Sequence, residues 1–123
     1  MARPASPRQA ARLARGLLDR RLPGPRRTTV PGQVHRAERI AKRIYRRWQV
    51  GPYQWQVKHL RWYLEHVTRT FAPTTRYGYW LTVRVLVIAL DREADWLPRL
   101  QGPWTRFAET GTPRTGRPLK RPT

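Results

Sequence analysis

Arg36, Arg39, Lys42, Arg43, Arg46 and Arg47 follow one another at short steps between residues 33 and 49, and Glu38 is the one acid among them. Steps of three and four put such residues along one side of a helix. The guanidinium is a planar fork that pairs bidentately with phosphate oxygens and with guanine edges. A column of these groups can therefore follow a phosphate backbone or enter a groove. The plainer alternative is a solvated helix face, but one glutamate cannot pair off six cations. Arg76 and Arg84 are secondary candidates for the same chemistry. A second set, Trp55, His59, Trp62 and His66, recurs at four, three and four. It has two readings: rings that pack beneath another helix, or an exposed face that stacks on bases or docks a partner protein. Packing is favoured, because small domains often seal their ends with large aromatics.

Catalytic chemistry has no comparable support. The chain holds no GxxxxGK phosphate loop, no GxSxG elbow and no cysteine. His59 and His66 stand two turns apart, the wrong step for an HExxH-type zinc pair. Asp91, Glu93 and Asp95 form an acidic cluster with no further ligand type beside them. No enzyme activity, metal or cofactor is expected.

The charge balance points the same way as the arginine column. The 123 residues carry 26 Lys and Arg against 7 Asp and Glu, a net charge of +19. Residues 1–50 hold 14 basic and 2 acidic side chains, so the excess lies mainly ahead of the apolar middle. A chain of this kind repels itself and attracts polyanions, which makes nucleic acid the expected partner, DNA before RNA. A membrane surface would offer the same charge, but no hydrophobic anchor accompanies it. The longest apolar run, LTVRVLVIAL at 81–90, is too short to span a bilayer and contains Arg84. The Arg-rich start resembles an organelle transit peptide but lacks its serines and its uninterrupted amphipathic stretch. The absence of cysteine fits a reducing cytoplasm, or the nucleoid for a DNA binder. Arginine exceeds lysine 23 to 3. A GC-rich genome accounts for that preference but not for the shortage of acids.

Four helices are expected to position these residues. Ser6-Pro7 offers an N-cap and a first-turn proline for a helix over about 7–20, with Ala10, Leu13, Ala14, Leu17 and Leu18 inward and Arg8, Arg12, Arg15 and Arg20 elsewhere around it. LPGPRRTTVPGQ (22–33) reads as a linker, so residues 1–32 form a basic arm. The second helix, about 33–49, buries Val34, Ala37, Ala41, Ile44, Tyr45 and Trp48. Gly51-Pro52 breaks the chain before a third, about 53–69, striped by Tyr53, Val57, Leu60, Leu64 and Val67. A fourth, about 74–93, is capped by Thr74 or Thr75; its VRVLVI segment also has strand character, but the spacing from Tyr77 to Leu90 favours a helix. The helical unit spans 33–100, and residues 101–123 read as a disordered cationic tail.

The stretch from Leu60 to Val87 resembles the core-binding domain of tyrosine recombinases, the phage-integrase family. An apolar helix, a short loop and a Thr that opens the next helix are followed by an aromatic four residues on and an apolar-Arg pair beyond it. Thr75, Tyr79, Val83 and Arg84 occupy those places, Leu86 and Val87 continue the pattern, and Trp96 matches a tryptophan often found after the helix. The resemblance covers about half of the chain. It implies an all-α, SAM-like four-helix bundle that grips one side of a DNA duplex without cutting it. The catalytic domain of that family would have to follow Trp96, where the sequence is too short to hold it; His66-Val67-Thr68-Arg69 spells its His-x-x-Arg by chance. The expectation is a non-catalytic duplex-DNA binder, whether an accessory factor of a mobile element, a decoy that occupies its sites or a decayed recombinase fragment. The alternatives are an RNA or ribonucleoprotein binder, or a protein-interaction module that uses the Trp55/Trp62 face.

Overall fold

Ser6 Oγ accepts a hydrogen bond from the Gln9 amide at 3.1 Å, and Pro7 is the first residue of the helix that follows, α1 (Pro7–Arg21). Gln9 Oε1 reaches back to the Ala5 amide at 2.6 Å, so side chains satisfy N–H groups that have no partner within the helix. The computed structural model describes residues 3–21 and 30–105, and these form an all-α bundle with no strand among them. α2 (Val30–Trp48) follows, then a 3-10 turn (Pro52–Gln54) and α3 (Val57–Trp62). α3 continues through a π turn (Tyr63–Val67) and a 3-10 turn (Thr68–Thr70), and α4 is Pro73–Ala89. A short α5 (Glu93–Trp96) and two 3-10 turns (Leu97–Leu100, Pro103–Thr105) close the fold.

The α1–α2 pair is the tightest seam. Ala10 and Ala14 on one side, and Ala37 and Ala41 on the other, are fully buried, and side chains this small let two helices approach closely. Leu17, Leu18, Ile40 and Ile44 fill the rest of that layer. Pro4, just before α1, lies against Gly51, just after α2, so the two helices run antiparallel. A Cβ on Gly51 would stand 2.6 Å from Pro4 Cδ, which only glycine avoids. α4 packs on both helices, and its Val83, Leu86 and Val87 are fully buried in the shared core. Leu60, Tyr63 and Leu64 close the core from the α3 side; Leu100 and Trp104 close it from the C-terminal turns.

Several expectations change here. Pro7–Arg21 does not stand apart as an arm, because α1 supplies part of the same core that was assigned to 33–100. Val30–Gln33 belong to α2: a proline in the first helical turn removes only an N–H that has no partner there. The rest of the expected linker, 22–29, lies outside the described residues. The third helix starts at Val57 rather than 53, because Trp55 and Gln56 are both extended. α4 opens with Ala72 as N-cap and Pro73 at its first position, with neither Thr74 nor Thr75 capping it. It ends before Asp91, whose positive φ of 58° stops the helix. Trp104, in the expected tail, is buried and donates Nε1–H to the Leu100 carbonyl at 2.7 Å. Residues 106–123 of that tail lie outside the described residues. The VRVLVI segment is helical throughout.

Candidate nucleic-acid interface

α2 buries one side with Ala37, Ile40, Ala41 and Ile44, and this sets what its other side presents. Arg39, Arg43, Arg46 and Arg47 are exposed and Lys42 is half-buried. Arg39, Lys42, Arg43 and Arg46 line a cleft of about 310 Å³ together with His35, Tyr63, Val67 and Phe71. No acid lines it. Tyr63 is buried at its base, and burial is the main reason that its hydroxyl ionises above the ordinary tyrosine range. Tyr79 adds to that shift through its charge and a hydrogen bond, while Arg39 and Arg43 oppose it. Tyr79 also stacks obliquely on Tyr63 and Phe71, with ring centroids 5.6 and 5.4 Å apart, so the aromatic wall is braced from behind. The cleft thus combines the aromatic Tyr63 and Phe71 and the apolar Val67 with the cations of α2.

Two of the expected contacts turn inward instead. Arg36 is half-buried; its Nε donates to Thr82 Oγ1 at 3.0 Å and its guanidinium packs over Gly78. Arg76 Nε donates to Thr68 Oγ1 at 3.0 Å and one Nη donates to the Leu64 carbonyl at 2.9 Å. Its guanidinium also stacks 5.2 Å over Trp104. Burial, then the charge of Arg69, lowers its pKa from the usual guanidinium value. Both side chains hold elements together, a role that spacing alone does not reveal. Arg84 is exposed on α4, outside the α2 cleft. Arg47 is exposed but leans over Trp48 and Trp62, with centroid distances of 4.9 and 5.4 Å.

The Trp55, His59, Trp62 and His66 stripe is not one face. Trp55 precedes α3 and is buried, and its Nε1 has no hydrogen-bond partner among the described residues. His59 is buried; its Nδ1 accepts the Gln56 amide at 2.9 Å, tying down the first turn of α3. Burial, with a smaller contribution from Lys58, pulls its pKa down from 6.5 to about 4, so the ring is neutral at pH 7. Its ring and the half-buried Trp62 both pack on Trp48, at 4.7 and 5.1 Å. His66 alone is exposed. The packing reading therefore holds for Trp55, His59 and, in part, Trp62.

Sequence reasoning missed His35, which lies on α2 itself, and Tyr63, Val67 and Phe71, which come from segments that only the fold brings beside α2. It also set Arg8, Arg12 and Arg15 aside; they line a second cleft with Ala11, Glu38 and Lys42. Their steps of four and three were a usable signal. No group of His, Asp or Glu among the described residues is arranged to hold a metal ion. Asp95 is instead 3.3 Å from Arg99 in an exposed ion pair. No helix among the described residues is long and apolar enough to cross a membrane. Comparison of the chain with models of known protein families, with curated proteins and with solved structures returns no match.

Proposed function

We propose that this protein is a non-catalytic helical nucleic-acid-binding protein that grips duplex DNA, in the manner of an integrase core-binding domain and as an accessory of a mobile element. The observation that carries the reading is the cleft beside α2, where four cations converge and no acid stands among them. Among the described residues, ion pairs join Arg61 to Glu65 and Arg99 to Asp95, and neither involves α2. Uncompensated cations at this density raise the cost of folding through mutual repulsion, and a polyanion relieves it. The recombinase resemblance is consistent with this: of its motif positions on α4, Tyr79 and Val83 are buried and Arg84 is exposed, so the cation is on the surface.

RNA is the second reading. Phe71 is half-buried at the edge of the cleft, where an unstacked base would find a ring beside phosphate-binding cations.

Binding to a labelled DNA duplex and to a matched RNA hairpin across a salt series tests both. With Arg39, Lys42, Arg43, Arg46 and Arg47 on about five phosphates, the log–log slope of affinity against salt has a share of about −4.5 from α2. Arg39→Ala with Arg43→Ala flattens the slope if this face binds. An unchanged slope removes α2 from the interface. Tighter binding to the hairpin at every salt concentration selects the RNA reading.

A further inference from the structure

We infer that the binding surface spans two helices, with Arg8, Arg12 and Arg15 of α1 forming a second cation column beside that of α2, and that the two columns hold the two phosphate backbones of a duplex. The inference rests on reading α2 as a nucleic-acid face and adds the partner's geometry. Arg8, Arg12 and Arg15 are all exposed, while Ala10 and Ala14 between them are buried against α2. The three arginines therefore run along the outer edge of the α1–α2 seam. They line a cleft of about 260 Å³ with Glu38 and Lys42, and Lys42 also lines the cleft that holds Arg39, Arg43 and Arg46. The shared lysine makes one continuous surface of the two clefts.

Charge along this surface alternates in a way that a single strand would not use. The α1 column is positive, Glu38 lies in the seam, and the α2 column is positive again. A duplex presents the same alternation with opposite sign: backbone, groove, backbone. Packed helix axes lie about 8–10 Å apart and arginine side chains extend outward from them, a spread of the order of a B-DNA major groove about 12 Å wide. A single strand offers one row of phosphates and would occupy one column. The α1 arginines are free to serve: among the described residues, no hydrogen bond or ion pair engages Arg8, Arg12 or Arg15.

The test compares wild-type protein with Arg8→Gln/Arg12→Gln/Arg15→Gln on a 30-bp DNA duplex and on one of its isolated strands, across a salt series. Lys58→Gln/Arg69→Gln/Arg92→Gln removes the same charge from exposed positions outside both clefts. About eight contacts give the wild type a duplex slope of about −7, and the α1 variant is expected to lose about 2.7 of it. The control variant keeps the wild-type slope, and the isolated strand does not register the α1 change. Equal flattening by the two triple variants, or an α1 variant that matches wild type, overturns the two-column surface while leaving α2 as a binding face. Wild-type protein that shows no salt-dependent binding to the duplex overturns the underlying reading as well. Glu38→Gln supplies a check that removes no arginine: duplex affinity rises severalfold if the seam lies under the DNA, and unchanged affinity counts against it.

Discussion

On the α4 side of the bundle, Arg36 and Arg76 each direct Nε onto a fully buried threonine, Thr82 and Thr68. Each threonine hydroxyl then donates to a carbonyl one turn back, that of Gly78 or Leu64. On the outer wall of α2, Arg39, Arg43 and Arg46 meet no such acceptor among the described residues and line an open cleft. Arg36 and Arg39 are three residues apart on the same helix, yet one clamps the fold and the other faces solvent. The difference lies in what each can reach. A buried hydroxyl already donating to its own helix keeps a lone pair for an arginine, and a charge-assisted bond there is stronger than one in water. Where no acceptor is within reach, the guanidinium stays hydrated and available to a ligand.

The sharpest way to break this comparison is to remove the open arginines. Arg39→Ala with Arg43→Ala is expected to weaken DNA binding at moderate salt by about a hundredfold, since hydrogen bonds to charged groups contribute about 1.5–3 kcal/mol each. The melting temperature should hardly move, because exposed substitutions fall within about 0.5 kcal/mol. A large loss of stability would place these residues with the clamps.

Acid should weaken the folded state through the buried His59. His59 has a folded pKa of about 4 against 6.5 in the unfolded chain, so the unfolded state takes up the proton first as pH falls. Its contribution is whole above pH 6.5, declines by up to about 1.4 kcal/mol per unit as pH falls toward 4, and then levels off. Urea titrations at several pH values measure this, and His59→Gln should flatten the dependence across that window.

Arg76→Ala should cost about 2 kcal/mol, because it leaves the Leu64 carbonyl and the Thr68 hydroxyl short of a donor. The salt slope of the folded protein should stay unchanged; a flattened slope would make Arg76 a DNA contact after all. Arg36→Met should cost less, about 1 kcal/mol, with one hydrogen bond and the guanidinium contact over Gly78 lost and the apolar stem kept.

Smallest is a gain. Gln49 ends α2 with a positive φ of 57°, a conformation that suits glycine better than glutamine. Gln49→Gly is expected to stabilise the protein by up to about 1 kcal/mol in thermal or urea unfolding, with DNA binding unaltered.

Much of the helical frame could be read along the chain. Ser6-Pro7 announced the start of α1, and the Ala37, Ala41 and Ile44 spacing announced the inner side of α2, because capping and amphipathic period are local properties. The cleft was only half legible. Its cations lie on one helix and obey one period, whereas Tyr63, Val67 and Phe71 come from a π turn and a loop whose placement depends on packing. The break at Trp55 and Gln56 was hidden for a similar reason: the apolar spacing runs straight through it, while the backbone turns extended after Pro52.

The sequence by itself determined the helical class, the excess of positive charge and the alignment of the α2 cations, since these follow from residue type and a period of 3.6. Tertiary structure alone decided which arginines are clamps, which are open, and that α1 stands beside α2 rather than apart from it. Those outcomes depend on an acceptor, a ring or a second helix lying within a few ångströms, and such neighbours are distant along the chain: Thr82 is 46 residues from Arg36.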